Sequence, residues 1–143
     1  MNKYEEPRNR QQEEFNALPL GFAFNDKQFH EMMVGWGLDP ANDLDKILRL
    51  PYGGFIQKKD VDHFHATYDR HIAELEAAIA SDKTGGGFIY DMFLHELYNH
   101  EYGYTGDCEE TLECLGYDWS DIEQDDRLKY GLEKAMRKIW NEL

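Results

Sequence analysis

From residue 61 onward the apolar side chains recur every three or four positions. Val61, Phe64, Tyr68, Ile72, Leu75 and Ile79 form one stripe, which predicts a helix beginning at Asp60. Gly85-Gly86-Gly87 ends it, because three glycines lose too much backbone entropy to stay helical. A second helical pattern runs from Phe88 to about Glu101, with Phe88, Ile89, Met92, Phe93, Leu97 and Tyr98 as its buried face, and Gly103 and Gly106 break it. Asp107 with Glu110 has the spacing of a capping box, after which Cys108, Leu112 and Leu115 line one face as far as Gly116. Ser120 with Glu123 marks another start, and Leu128, Leu132, Met136, Ile139 and Leu143 give the last stripe.

The first sixty residues are less periodic. Residues 1–16 are polar and mixed in charge and read as a frayed N-terminal tail or one exposed turn. Leu20 to Phe24 alternates apolar and small residues, a strand pattern, and Phe55-Ile56-Gln57 is a second strand placed to pair with it. Between them, Asn25 with Gln28 predicts a capping box for a helix carrying Phe29, Met32, Met33 and Trp36, ended by Gly35 and Gly37. Pro40 can open a short helix with Leu44, Ile47 and Leu48, and Pro51 with Gly53-Gly54 enforces a turn. The expectation is a mainly α (α+β) fold. About five to six helices surround one core, with a two-stranded sheet from residues 20–25 and 53–57. Residues 17–143 would form a single compact domain, without internal repeat or linker.

Charge changes this picture more than composition does. The 143 residues carry a formal charge of −14, and 14% of them are aromatic, which argues against disorder. From Thr84 to Asp126 there is no Lys or Arg, while the same 43 residues hold twelve acids; the other 100 residues are close to neutral, with 17 acids and 15 bases. Such a segment repels itself and phosphates alike, so nucleic acid is not expected as a direct partner. No apolar run approaches the ~20 residues of a membrane helix. The charged first residues do not resemble a secretory signal, and two cysteines make no disulfide framework, so a reducing cytoplasm is the expected location.

Most catalytic motifs fail on spacing. His95-Glu96 and His100-Glu101 evoke the zinc-protease motif, but histidines five apart point about 140° away from each other on a helix. His63, His65 and His71 have no i,i+4 partner, and Cys108 and Cys114, six apart, match neither a redox pair nor a zinc knuckle. The triple glycine lacks the Lys-Ser/Thr of a phosphate loop, and residues 118–126 lack the glycine and final glutamate of a calcium-binding loop. The cadence Thr111 to Glu123 suggests a helix-turn-helix, yet its second helix would present acids to phosphates. The expectation is therefore a protein without enzymatic activity, cofactor or metal ion.

The acids themselves have a geometry. With Cys108, Leu112 and Leu115 inward, Glu109, Glu110 and Glu113 face outward, about 6 Å apart at i,i+4 spacing, a scale comparable to phosphates along a strand. Asp107 precedes this row, and Asp118, Asp121, Glu123, Asp125 and Asp126 extend it, with Trp119 as an amphipathic anchor. These ten residues are the expected partner-binding set. They would occupy a Lys/Arg groove built for nucleic acid through charge-assisted hydrogen bonds.

The stretch Phe88 to Asp107, followed by Thr111 to Gly116, resembles an uncharacterised family of small acidic proteins from phages and mobile elements of gut bacteria. That family shares an E-L-x-N-H-E-Y-x-Y-T-G-D core, matched by Glu96 to Asp107, and upstream F-x-x-x-Q-F and G-G-F-I elements, matched by Phe24 to Phe29 and Gly53 to Ile56. The resemblance covers about residues 20–138 and brings no chemistry with it. Its setting is similar to that of anti-CRISPR inhibitors, which implies an acidic inhibitor of a bacterial defence nuclease. A Cas9-type effector, with its cationic guide–target channel, is the expected partner. Two other readings stay open: an accessory interaction module acting through its aromatics, and a metal-dependent hydrolase at His95, Glu96, His100 and Glu101.

Overall fold

The computed structural model describes residues 2–143, which hold eight α-helices and a small antiparallel sheet. The fold is mainly α, as the periodicity predicts. The chain divides into two compact units, one made of residues 1–12 and 72–143 and the other of residues 13–71.

The larger unit carries the main core. It contains the start of α1 (Glu5–Asn16), the end of α3 (Val61–Ser81), and α4 (Phe88–Asn99), α5 (Tyr102–Thr105), α6 (Glu109–Leu115), α7 (Trp119–Gln124) and α8 (Asp126–Trp140). Ile89, Met92, Phe93 and Leu97 of α4 pack against Leu128, Leu132, Ala135 and Ile139 of α8, with Tyr4, Tyr102, Cys108, Leu112 and Ile122 closing the cluster. Each fully buried side chain of this size contributes about 1.5–3 kcal/mol. Gly131 sets how near α4 and α8 can come: a Cβ there would sit 2.6 Å from both the Gly85 carbonyl and Ile89 Cγ2.

The turn between α3 and α4 is wired through Asp82. Its carboxylate accepts the backbone N–H groups of Thr84, Gly85, Gly87 and Ile89. Gly85 adopts φ +88, and a side chain there would run into the Arg127 carbonyl, so the glycine run is a fitted turn as well as a stop. The Arg127 guanidinium donates to the Ile79 and Asp82 carbonyls and so closes the C-terminal end of α3.

The N-terminal stretch corrects one expectation. Residues 5–16 form helix α1 where a polar tail is expected, and Tyr4, just before it, is part of the core. No apolar stripe announces this helix. Polar bonds hold its first half, with Arg8 on Glu96, Arg10 on Glu74, and Glu5 on His95.

The smaller unit is built on β1 (Leu20–Phe22), α2 (Asp26–Gly35), β2 (Ile47–Arg49) and β3 (Gly54–Gln57). β3 is central and antiparallel to both neighbours, with Leu20 opposite Ile56 and Leu48 opposite Ile56 on its other edge. The β1–β3 pairing follows expectation, but the sheet has three strands. The segment expected as a helix after Pro40 instead forms a 3-10 turn, Leu44–Lys46, and then β2. Apolar residues at 44, 47 and 48 fit either period, and the backbone pairing offered by β3 decides for a strand. Asn25 caps α2 by accepting the Gln28 N–H, while the Gln28 side chain accepts from Phe24 N instead of completing the box.

The second half of the chain differs from the periodic reading at two joints. A single last helix is expected from Ser120, but Asp118 and Asp121 form a reciprocal capping box that starts α7, and Asp125 caps a separate α8. Glu101, at φ +56, ends the α4 region and leads into the four-residue α5, so the helix count rises to eight among the described residues.

Candidate functional site

Helix α4 is apolar on its buried face except at one position. Glu96 is 1% exposed, yet it sits among Ile89, Met92, Phe93 and Leu97. A buried carboxylate is costly unless it is paired and hydrogen-bonded, and here it is both. Oε1 takes the Arg8 guanidinium at 3.1 Å and the Tyr4 hydroxyl at 3.2 Å. Oε2 takes the Cys114 thiol at 3.4 Å. His95 Nε2 lies 3.9 Å from Oε1 and His100 Nδ1 3.8 Å from Oε2. The Glu96 backbone carbonyl accepts from Thr111 Oγ1 and from His100 Nδ1, the latter at 2.8 Å.

Three elements thus converge on one carboxylate: the first turn of α1, the C-terminal half of α4, and α6 through Thr111 and Cys114. Burial pushes the Tyr4 hydroxyl well above the ordinary phenol range, with the Glu96 charge adding to it. Partial desolvation also raises the Cys114 thiol, and the Glu96 charge raises it further. The thiol is therefore a hydrogen-bond donor at neutral pH and not an activated nucleophile. Cys114 is nevertheless exposed, so the cluster is open to solvent on that side.

The sequence singles out the histidines of this region by their mutual spacing. Their spatial partners are elsewhere: Glu96, His100 and Cys114 each offer a ligand atom, and these atoms lie within 4.8 Å of one another. Glu101 is exposed and is not one of this group. Cys114, Arg8 and Tyr4 are site residues that pattern reading passes over. A single acid at a core position of an apolar helix is the one signal that could have found them.

The expected acidic surface divides into two kinds of residue. Asp118 and Asp121 bond each other's backbone at the start of α7, and Asp125 caps α8 while pairing with Arg127 at 3.1 Å. Glu123 pairs with Lys129 at 3.2 Å, and Asp107 accepts the Glu109 N–H at the entrance to α6. These five are used by the fold. Glu109, Glu110 and Glu113 are exposed on the outer side of α6, opposite the buried Thr111 and Leu112. Among the described residues no Lys, Arg or His lies in ion-pair range of these three, and the same holds for Asp126. Tyr104 at 95% and Trp119 at 50% are among the aromatic side chains of the same half of the chain with large exposed surfaces. Trp119 is thus displayed, and Ile122 alone anchors α7 in the core.

No helix among the described residues is long and apolar enough to cross a membrane. The chain belongs to a family of unknown function, DUF7659, whose model matches residues 3–138, a span that includes both the Glu96 cluster and the acidic row. No curated protein and no solved structure matches it.

Proposed function

We propose that this family member is a non-enzymatic binding module that docks through the outer face of α6 onto a protein with a cationic, nucleic-acid-binding groove. The observation that carries the reading is the row Glu109, Glu110 and Glu113, exposed together with no cation of the described residues in ion-pair range. Carboxylates that are already paired gain little from a partner, whereas solvated ones gain charge-assisted hydrogen bonds to Arg or Lys. Tyr104 and Trp119 supply the amphipathic surface that concentrates binding energy in interfaces. The acids that cap α7 and α8, and Asp107 in the turn before α6, act differently: they hold the row in place through backbone N–H groups.

The finer reading makes this an inhibitor, with the guide–target channel of a Cas9-type nuclease as receptor. The experiment is inhibition of such an effector by the purified chain at increasing salt. The variant Glu109→Lys/Glu110→Lys/Glu113→Lys is compared with Glu123→Gln, which touches an acid already paired. Inhibition that weakens steeply with salt and is abolished only in the triple variant supports the proposal. Full inhibition by the triple variant overturns it.

A further inference from the structure

We infer that Glu96, His100 and Cys114 form a binding site for one divalent transition-metal ion of the zinc class, joining the end of α4 to α6. This inference is independent of the acidic face. The three ligand atoms already lie within 4.8 Å of one another. In a tetrahedral zinc site with metal–sulfur, metal–nitrogen and metal–oxygen bonds of about 2.3, 2.0 and 2.0 Å, ligand atoms are about 3.3–3.5 Å apart. The Cys114 Sγ to Glu96 Oε2 distance of 3.4 Å matches that edge. The remaining closure falls to side-chain rotation at Cys114, which is exposed, and at His100, which is partly so and has to turn Nε2 toward the ion, since Nδ1 is the nitrogen now 3.8 Å from Oε2.

The surroundings are those of a ligand set. The Glu96 carbonyl can only accept, so His100 Nδ1 donates in that bond, and Nε2 is the ring nitrogen left for a metal. A ring anchored through Nδ1–H on a backbone carbonyl is the arrangement that orients ligating histidines. Arg8 and Tyr4 both occupy Oε1, which fixes the carboxylate and leaves Oε2 for the ion. Among the described residues, the hydrogen bond to Oε2 comes from the thiol proton of Cys114. Binding replaces that proton: a metal–sulfur bond forms, the S–H bond breaks, and the proton leaves to solvent. A mixed sulfur, nitrogen and oxygen set favours zinc or cobalt over magnesium or calcium, and three protein ligands leave the fourth position for water.

The test is titration of the full-length chain, freed of metal with a chelator, with cobalt(II). We expect a near-ultraviolet thiolate-to-cobalt charge-transfer band that saturates at one ion per chain and disappears when zinc is added. Cys114→Ser removes the band, and His100→Ala weakens binding by at least about tenfold. Cys108→Ser and Glu109→Gln/Glu110→Gln/Glu113→Gln leave the band intact. Far-ultraviolet circular dichroism of each variant confirms that it is folded. Absence of the band in the wild-type chain at excess cobalt overturns the assignment. So does a band that survives Cys114→Ser, or one lost when only the surface acids are changed.

Discussion

Arg8 Nε stands 3.1 Å from Glu96 Oε1, and this ion pair, beside the more exposed contact of Glu5 with His95, ties the first turns of α1 to the core helix α4. Its two members live in different media, since Arg8 is about a third exposed (35%) and Glu96 is 1% exposed. The carboxylate depends on the arginine far more than the arginine depends on the carboxylate.

That asymmetry makes the first prediction. Arg8→Met leaves the buried carboxylate with the Tyr4 and Cys114 hydrogen bonds but without its guanidinium, and costs about 2 kcal/mol, less than the roughly 3–5 kcal/mol of a fully buried pair because Arg8 is about a third exposed. For a chain of this length that lowers Tm by roughly 4–8 °C. In a Glu96→Gln background the same Arg8→Met change costs much less, because no buried charge is stranded. Chemical denaturation of the four proteins of the cycle measures the coupling. Equal losses in both backgrounds would show that Arg8 acts by packing alone.

The pair also marks where pattern reading stops. α3, α4 and α8 are legible because their apolar residues repeat at the helical period over three turns or more, and α4 begins within a residue of its expected start. α1 is illegible because what holds it is long-range and polar: Arg8 reaches a residue 88 positions away in sequence. β2 is ambiguous by period and becomes a strand only when β3 offers backbone partners. The acid row on α6 could be placed outward from Cys108 and Leu112 alone, since an inward side fixes an outward one. The Glu96 cluster could not, because its ligand atoms come from two helices and no local spacing relates residue 114 to residues 96 and 100.

Asp82 gives a pH-dependent prediction. Burial alone would raise its carboxyl, but hydrogen bonds from the backbone amides of Ile89, Gly85, Gly87 and Thr84 outweigh burial and hold it below the usual aspartate range. A folded-state value below the unfolded one contributes stability that is present above the unfolded pKa and lost as pH falls through the folded value. Asp82→Ala therefore costs about 1–2 kcal/mol at pH 7, as loss of a helix cap does. The gap between the two proteins should close in acid, well below about pH 3.9. Urea midpoints measured across that interval decide it, and a constant gap would assign the loss to something other than the ionised side chain.

One substitution should have opposite signs at two glycines. Gly131→Ala pushes a methyl group to 2.6 Å from Ile89 Cγ2 and the Gly85 carbonyl, and must separate α4 from α8. The overpacking costs about 1–3 kcal/mol, more than the gain of up to about 1 kcal/mol from alanine's helix propensity. Gly35→Ala, at the exposed end of α2, meets nothing within 4 Å and should stabilise by a few tenths of a kcal/mol up to about 1. Thermal melts of the two single variants test the pair, and a stabilising Gly131→Ala would mean the helices have room the packing does not show.

The acid row makes the last prediction, one that requires no partner. Glu109 and Glu110 lie in the first turn of α6, where the helix dipole favours negative charge, whereas Glu113 lies toward its C-terminal end, where the dipole opposes it. Glu113 is also one turn from Glu109, so the two repel at i,i+4 spacing. Glu113→Gln should consequently raise Tm at low ionic strength, while Glu109→Gln should change it little, its lost repulsion offset by a lost dipole interaction. The difference should shrink as salt is raised, because the screening length falls from about 30 Å at 0.01 M to about 8 Å at 0.15 M. Melting curves of the wild type and both variants at those two salt concentrations suffice. If Glu113→Gln gains nothing at low salt, its charge is neutralised by a neighbour, and the outer face of α6 is not the open row of carboxylates on which docking to a cationic groove depends.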